Sequence, residues 1–472
     1  MRHIDATSQA SARSLHTIAA SEAEGLIQDQ PSQAHEAAEE GHAGILGTAL
    51  NMFCNIMGGA VLVLPSAMRD ASIGFGAPLL LSLGLMSVTT MLMLVHSAER
   101  TQKYTYRTML CASVHEYVGR GFEIGLFAYT FGVLVEYGRI ISDSMPAVAA
   151  DFFHITSGFL SHGWAWLLMA CVPFFIFGSF PQLSELKWSS FVGFATIVYV
   201  EVLIVTLFAT GSYKQNPPKA VADDVDFFCA SLDVFRTIPV LAVAYSCHYN
   251  VPVYYRELEK RTLPQFYRVL LTVSPVIITV YMSVAVTGYL TFGNTVLDTT
   301  RGNIVNAYRH TDTAVNIGRL GLFFHFCTAF PIVAVACRSC LNSIVFGTPK
   351  KTHLIHIVEA FALVSLSAVC AHFVPGIAFV VDMIGSLFGV SIVYIIPSVI
   401  YIGTFRKERF ELPDVTADVT ACGEKDAVTP SVPAVPRHPV LYVLAYCYVP
   451  LGIAGSIIAL SVTIQRFTKG KS

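Results

Sequence analysis

The stretch Gly44-Ile-Leu-Gly-Thr-Ala-Leu-Asn51-Met-Phe-Cys54-Asn55-Ile56-Met-Gly58-Gly59-Ala60-Val61-Leu62-Val-Leu64-Pro65 is an apolar run of membrane-spanning length with two adjacent glycines at its middle. A span interrupted at mid-depth exposes backbone N–H and C=O groups that hydrocarbon cannot satisfy. Such a break persists only where it is buried in protein or lines a cavity, so it points to a binding site near the bilayer midplane.

A second interruption lies in Ile238-Pro239-Val-Leu-Ala-Val243-Ala244-Tyr245-Ser246-Cys247-His248-Tyr249-Asn250-Val-Pro252. Pro252 removes a donor and disfavours helix just before it, and the polar residues at mid-run suit an unwound centre. For one span alone, adjacent glycines equally suit close helix packing. Two breaks at matching places in two halves instead indicate an inverted repeat.

The rest of the chain fits a membrane bundle. Of its 472 residues, 54% are hydrophobic and 13% charged, against roughly 25% charged in soluble domains. The net charge of −2 argues against a nucleic-acid partner, which would need a basic face. Most of the eleven cysteines sit in apolar runs, where they act as small hydrophobes and not as a disulfide framework. No metal cluster or cofactor motif is present. Catalytic signatures such as His-Glu-x-x-His or Gly-x-Ser-x-Gly are missing too, which argues against an enzyme.

Runs long enough to span recur at 44–67, 75–97, 121–148, 163–180, 188–210, 233–253, 264–292, 314–346, 353–373, 377–402 and 439–466, far longer than barrel strands. The expected fold is therefore an all-α membrane protein with eleven transmembrane helices. Residues 1–43 hold no long apolar core, so no signal peptide is expected, and they read as a disordered tail. Residues 44–210 form the first five-helix repeat, 211–232 an outer loop and 233–402 the second repeat. The Pro-rich segment 403–438 is a linker to the eleventh helix, 439–466, with 467–472 outside. With the N-terminus in the cytoplasm, eighteen of the thirty Lys and Arg fall on inner segments, eight on outer ones and four within spans. That asymmetry sets the orientation.

The first span, with Asn51, Gly58-Gly59 and Leu64-Pro65, resembles the opening helix of the amino acid/auxin permease family of the amino acid-polyamine-organocation superfamily. Cys247-His248 with Tyr254 and Glu257-Leu258, Ile141-Ser-Asp143-Ser-Met-Pro146, and Ile384-Gly385-Ser386 with Pro397 and Tyr401 are similar to that family's segments at the same places. The resemblance implies a LeuT-like 5+5 inverted repeat plus one helix, transporting amino acids by alternating access. Sodium-coupled members carry Asn in the first span where Cys54 aligns and Thr in the eighth where Ala329 aligns; a shift of one residue puts Asn55 in the first place. A thiol is a poor ligand for a hard cation, which favours proton-coupled or facilitated transport.

The site residues follow from electrostatics. The half-helix after Gly58-Gly59 offers the N–H groups of Ala60, Val61 and Leu62 and a positive dipole end to a carboxylate. Carbonyls around Asn55 and Ile56, and at Val243, Ala244, Tyr245 and Ser246, suit an ammonium group. Tyr245, Tyr249, Phe324 and Phe330 are candidates to line the pocket.

Ionisable residues at depth are functional hypotheses by default. Glu136, Arg139 and Asp143 share one helical face, where they either neutralise one another or form a working charge network, and Glu136 is the candidate partner for a cationic side chain such as that of arginine or lysine. Glu201 stands alone in the fifth span. Asp382, at the start of the tenth, reads as a helix cap or a proton site. His248 and His325 complete the proton-coupling candidates with Glu136, Asp143 and Asp382. The expected partners are an amino acid, H+ and the bilayer. The expected location is the plasma membrane, or alternatively a vacuolar or lysosomal one. The other functional reading is an amino-acid-sensing transceptor that signals through the N-terminal tail.

Overall fold

The computed structural model describes residues 43–179, 187–213, 225–296, 302–346, 353–406 and 437–469. Residues 1–42 of the expected tail and 407–436 of the expected linker lie outside them. Among the described residues the regular secondary structure is all helical, apart from one isolated bridge between Ala43 and Leu258.

In chain order, α1 spans Ile45–Ile56 and is followed by a 3-10 turn, Gly59–Val63. Then come α2 (Leu64–Thr101), α3 (Tyr106–Ser113), α4 (Glu116–Phe152), α5 (Gly163–Gly178) and α6 (Lys187–Ala209). The second half runs α7 (Val234–Ala244), α8 (Val251–Arg256), α9 (Leu263–Phe292), α10 (Thr313–Phe346) and α11 (His353–Phe373). It ends with α12 (Ile377–Ile384), α13 (Ile396–Arg406) and α14 (Pro439–Lys469). Two π-helical turns, Gly385–Gly389 and Ser391–Ile395, join α12 to α13.

Among the described residues seven helices are long and apolar enough to cross a membrane, Ile45–Ile56 and Gly163–Gly178 are shorter apolar helices, and Gly193–Ala209 is an apolar stretch of α6. Two departures from the expected spans have physical causes. The expected sixth span is split into α7 and α8, and the expected loop between the first and second spans is absent, because α2 runs through it with one bend. At that bend Ser72 takes φ 58° and ψ 162°, a conformation unusual for a residue with a side chain. The N–H groups it frees are satisfied from the segment before α7: Ile73 N–H donates to Asp226 O at 3.3 Å and Gly74 N–H to Phe227 O at 2.8 Å. Cys229 N–H in turn donates to Ser72 Oγ at 3.3 Å.

The core sits around α4 and α10, whose inward faces are almost wholly covered; Leu134, Met145, Phe326 and Phe330 are completely buried. At the end of the bundle where α10 begins, Arg319 is also fully buried. Its guanidinium donates to Val305 O at 2.8 Å, Tyr308 O at 3.0 Å and Asn316 Oδ1 at 2.5 Å. This one cation holds segment 303–310 on the bundle, because the carbonyls it satisfies have turned away from any helix ladder. Arg319→Leu should cost roughly 3 kcal/mol, read as a lower melting temperature of the purified protein, with the binding site itself left intact.

Candidate functional site

Both interruptions expected from the sequence are present, and they lie side by side. At the first, Met57 leaves the helix (ψ 68°) and Gly58 is extended (φ −93°, ψ −164°), before the 3-10 turn starts at Gly59. At the second, α7 stops at Ala244 and helical geometry resumes through a short 3-10 turn, His248–Asn250. Pro252 stands in the first turn of α8, where its missing N–H costs nothing.

The Tyr281 hydroxyl of α9 reaches both breaks at once, 2.9 Å from Ile56 O and 2.9 Å from Ala244 O. Ile56 O also accepts from Gly58 N–H at 2.8 Å, so this carbonyl is already engaged in the conformation seen. Sequence reasoning missed Tyr281. Nothing in the seventh run separates a tyrosine that bridges two breaks from one that packs.

Glu136 of α4 faces the first break. It is 1% exposed, and a Cβ added to Gly59 would stand 2.5 Å from its Oε1. That oxygen is buried with no hydrogen-bond partner. Neutralisation by Arg139, one turn on, does not occur: Arg139 pairs instead with Asp143 through Nε at 3.0 Å and Nη2 at 2.7 Å. The bidentate fork takes Nε and Nη2, as planar Arg–carboxylate pairs do, and Nη1 donates to Ala371 O at 3.4 Å. Asp143 is thereby held in a local ion pair, while Glu136 is left facing the glycines. Tyr137, next to it, places its hydroxyl 3.6 Å from a Cβ built on Gly58.

The two broken segments are tied to each other on both sides of this centre. On one side, Asn55 Nδ2 donates to Tyr254 Oη at 2.8 Å and Tyr249 Oη to Asn55 Oδ1 at 3.4 Å. Nearby, Ala43 exchanges backbone bonds with Glu257 and Glu259, both at 3.0 Å. On the other side, Thr237 Oγ1 donates to Ala67 O at 2.9 Å. There Arg236 bridges two carboxylates, Asp70 at 2.6 Å and Asp382 at 2.5 Å.

Asp382 is therefore neither a simple cap nor a lone acid. It closes a buried triad across α2, α7 and α12. Asp70 and Arg236 were not among the expected site residues: Asp70 falls between two expected spans beside Arg69, with which it also pairs at 3.9 Å, and only Arg236, inside the sixth apolar run, was a signal of a buried carboxylate partner. Removing the arginine takes the buried cation from Asp382 and leaves Asp70 the longer contact with Arg69 at 3.9 Å. Arg236→Gln should destabilise the state with this side closed by about 3–5 kcal/mol, seen as faster labelling of a cysteine introduced at Ala67.

The other expected residues divide. Ala60, Val61 and Leu62 lie buried in the turn after the glycines, and Val243 and Ala244 end α7 beside them. Ser246 lies next to Tyr129 of α4, and the Tyr249 ring is 6.5 Å from that of Tyr129. Tyr245 turns toward α2, donating to Leu80 O at 3.2 Å. His248 is also turned there, with Nε2 3.0 Å from Thr90 Oγ1 and 3.3 Å from Ser87 O. His325 lies against the backbones of Met57 and Gly193. Two aromatic candidates are not placed to line the centre. Phe324 is 52% exposed on the outer surface, and Phe330 stacks on Phe174 with centroids 4.0 Å apart. Among the described residues no group of His, Cys, Asp and Glu could hold a metal ion.

Comparisons with known proteins bear on the fold and the family. The Mhp1 structure in its inward-facing conformation superposes with a TM-score of 0.55 at 13% identity, covering 92% of each chain. That places the chain in the LeuT-like fold. The amino acid transporter AVT6E of Arabidopsis thaliana is 26% identical over 79% of this chain and 78% of its own length. The vacuolar amino acid transporter 2 of Saccharomyces cerevisiae is 25% identical over 74% of each. Sodium-coupled neutral amino acid transporter 7 of Mus musculus is 20% identical over 79% and 82%. The family model described as transmembrane amino acid transporter protein matches residues 41–421, and the chain belongs to that family.

Proposed function

We propose that this chain is a secondary active transporter that binds a free amino acid between the two helix breaks and couples its movement to protons. Its family is one of transporters, and the chain is a multi-pass membrane protein, not an enzyme. The observation that carries the coupling is the Glu136 Oε1, buried without a partner against Gly59. A substrate carboxylate drawn to the N–H groups of Ala60, Val61 and Leu62 meets this acid in a low-dielectric space. Two carboxylates so placed repel by a few kcal/mol, so substrate binding favours a protonated Glu136. Proton and amino acid then travel together. The ammonium end is taken by carbonyls of the second break, from Val243 to Ser246, and by the side chains of Asn55 and Tyr249.

Alternating access follows from the two sets of ties. Opening on one side separates Arg236 from its two carboxylates, and opening on the other releases Asn55 from Tyr254. The π turns of the segment after α12 are frequent at functional sites; here Gly385 packs directly on Pro239 of α7, so a shift of either is felt by the other. His248, within the second break, and His325, against the first, are secondary proton sites in this reading.

Eleven spans, a cytoplasmic N-terminus and a plasma-membrane location are part of the same proposal. The vacuolar relative makes an acidic organelle the alternative. Cys54 and Ala329, in place of oxygen ligands, support independence from sodium, although several relatives are named as sodium-coupled transporters. Replacing sodium by choline at fixed pH should leave uptake into proteoliposomes unchanged, while an inward proton gradient should accelerate it. Loss of uptake in choline would overturn the coupling.

A further inference from the structure

Between α1, α6 and α9 lies a crevice of about 460 Å³, within the usual range for small-molecule sites. Its walls are Ala49 and Phe53 from α1, Val198 and Glu201 from α6, and Val273 and Val280 from α9. Leu50, Val202 and Val276 form a rim that is 41–59% exposed. In a membrane protein such exposed apolar residues face lipid, so an occupant arrives from the bilayer.

The crevice is not purely apolar. Glu201 is only 6% exposed, and its Oε1 is buried with no hydrogen-bond partner. The hydroxyls of Thr272 and Ser283 do not serve it, since they donate to Arg268 O and Val280 O, each at 2.8 Å, on their own helix. A carboxyl held in such surroundings is expensive unless something pairs with it.

We propose that this crevice binds a membrane sterol whose hydroxyl pairs with Glu201, and that the bound sterol restrains α1. A hydroxyl suits either form of the acid, because it donates to a carboxylate and accepts from a carboxylic acid. The body is a rigid one for two reasons. The walls are largely β-branched and stiff at χ1, and a fused-ring body loses no chain entropy on entering, unlike an acyl chain.

Restraint of α1 rests on the alternating-access reading above. α1 runs into the Met57-Gly58 break, and its apolar face is the third wall of the crevice, so opening that swings α1 must reshape the space the sterol fills. The binding itself does not depend on transport, and it is tested separately.

The full-length protein in detergent is incubated with a photoactivatable cholesterol analogue, illuminated and mapped by mass spectrometry. Saturable labelling on α1, α6 and α9, displaced by cholesterol but not by diolein, is expected. Glu201→Leu should weaken it roughly tenfold, about 1.4 kcal/mol, and Glu201→Gln, which keeps a donor and an acceptor, should largely preserve it. Val198→Trp, filling the crevice, should abolish it, with Ala49→Phe serving if that variant is not monodisperse. Unsaturable labelling, equal labelling in all variants, or displacement by diolein alone overturns the site. In proteoliposomes, cholesterol should slow uptake by the unmodified protein severalfold and leave Glu201→Leu unaffected. Saturable binding with uptake indifferent to cholesterol would overturn the restraint of α1.

Discussion

Uptake by Gly59→Leu is expected to fall to background, a loss on the order of a hundredfold or more, while the protein still inserts and purifies as a monodisperse species. A side chain at this position meets Ile140 Cδ1 and Glu136 Oε1 at once. Both are the ends of side chains and not backbone, so the fold can yield, at a cost of about 1–3 kcal/mol, typical of overpacking. The site cannot yield in the same way. A leucine there displaces the acid proposed to carry the proton and covers the N–H groups proposed to hold the carboxylate. Labelled amino acid uptake into proteoliposomes is the measurement, with melting temperature as the control for folding. Normal uptake by the variant would show that the substrate does not approach the first break, and the whole assignment would move elsewhere.

What the sequence made legible was the path of the chain rather than the meetings of its side chains. Apolar runs and the two interruptions, at Gly58-Gly59 and before Pro252, were readable because a helix in lipid has few other ways to be written. The bend at Ser72 was not, since its cost is offset by carbonyls of Asp226 and Phe227, far away in the sequence. The same limit governs the charges. Helical spacing correctly put Glu136, Arg139 and Asp143 on one face but could not say which carboxylate the guanidinium would choose; the i, i+4 pairing won. Asp382 looked solitary because Arg236 and Asp70 lie 146 and 312 residues away along the chain. Tyr281 was invisible for the related reason that it acts on backbone, which carries no signature in the side-chain pattern. Long-range partners are set by packing, and periodicity is blind to them.

That choice by Arg139 gives Glu136→Gln its force. If Glu136 carries the proton, uptake by the unmodified protein rises as external pH falls, because the acid must be protonated before the substrate carboxylate can sit beside it. Raising the pH ionises Glu136 and restores the repulsion, at most about tenfold per pH unit for one proton. A glutamine keeps the shape and the hydrogen bonding and cannot ionise. The variant should therefore bind neutral amino acids as well as the unmodified protein does, show a flat pH profile, and fail to accumulate substrate against a gradient while still exchanging it. The alternative is that Glu136 pairs with the side chain of a cationic substrate. Arginine and lysine would then lose a charge-assisted bond that neutral amino acids of similar length never had, and binding would fall selectively for the cations. Counterflow with arginine, lysine and a panel of neutral amino acids, run across pH on both proteins, separates the two. A pH profile that stays steep in the variant removes Glu136 from proton coupling. Strong transport of neutral amino acids by the unmodified protein, with none of arginine or lysine, ends the cationic reading and leaves this acid facing the substrate backbone alone.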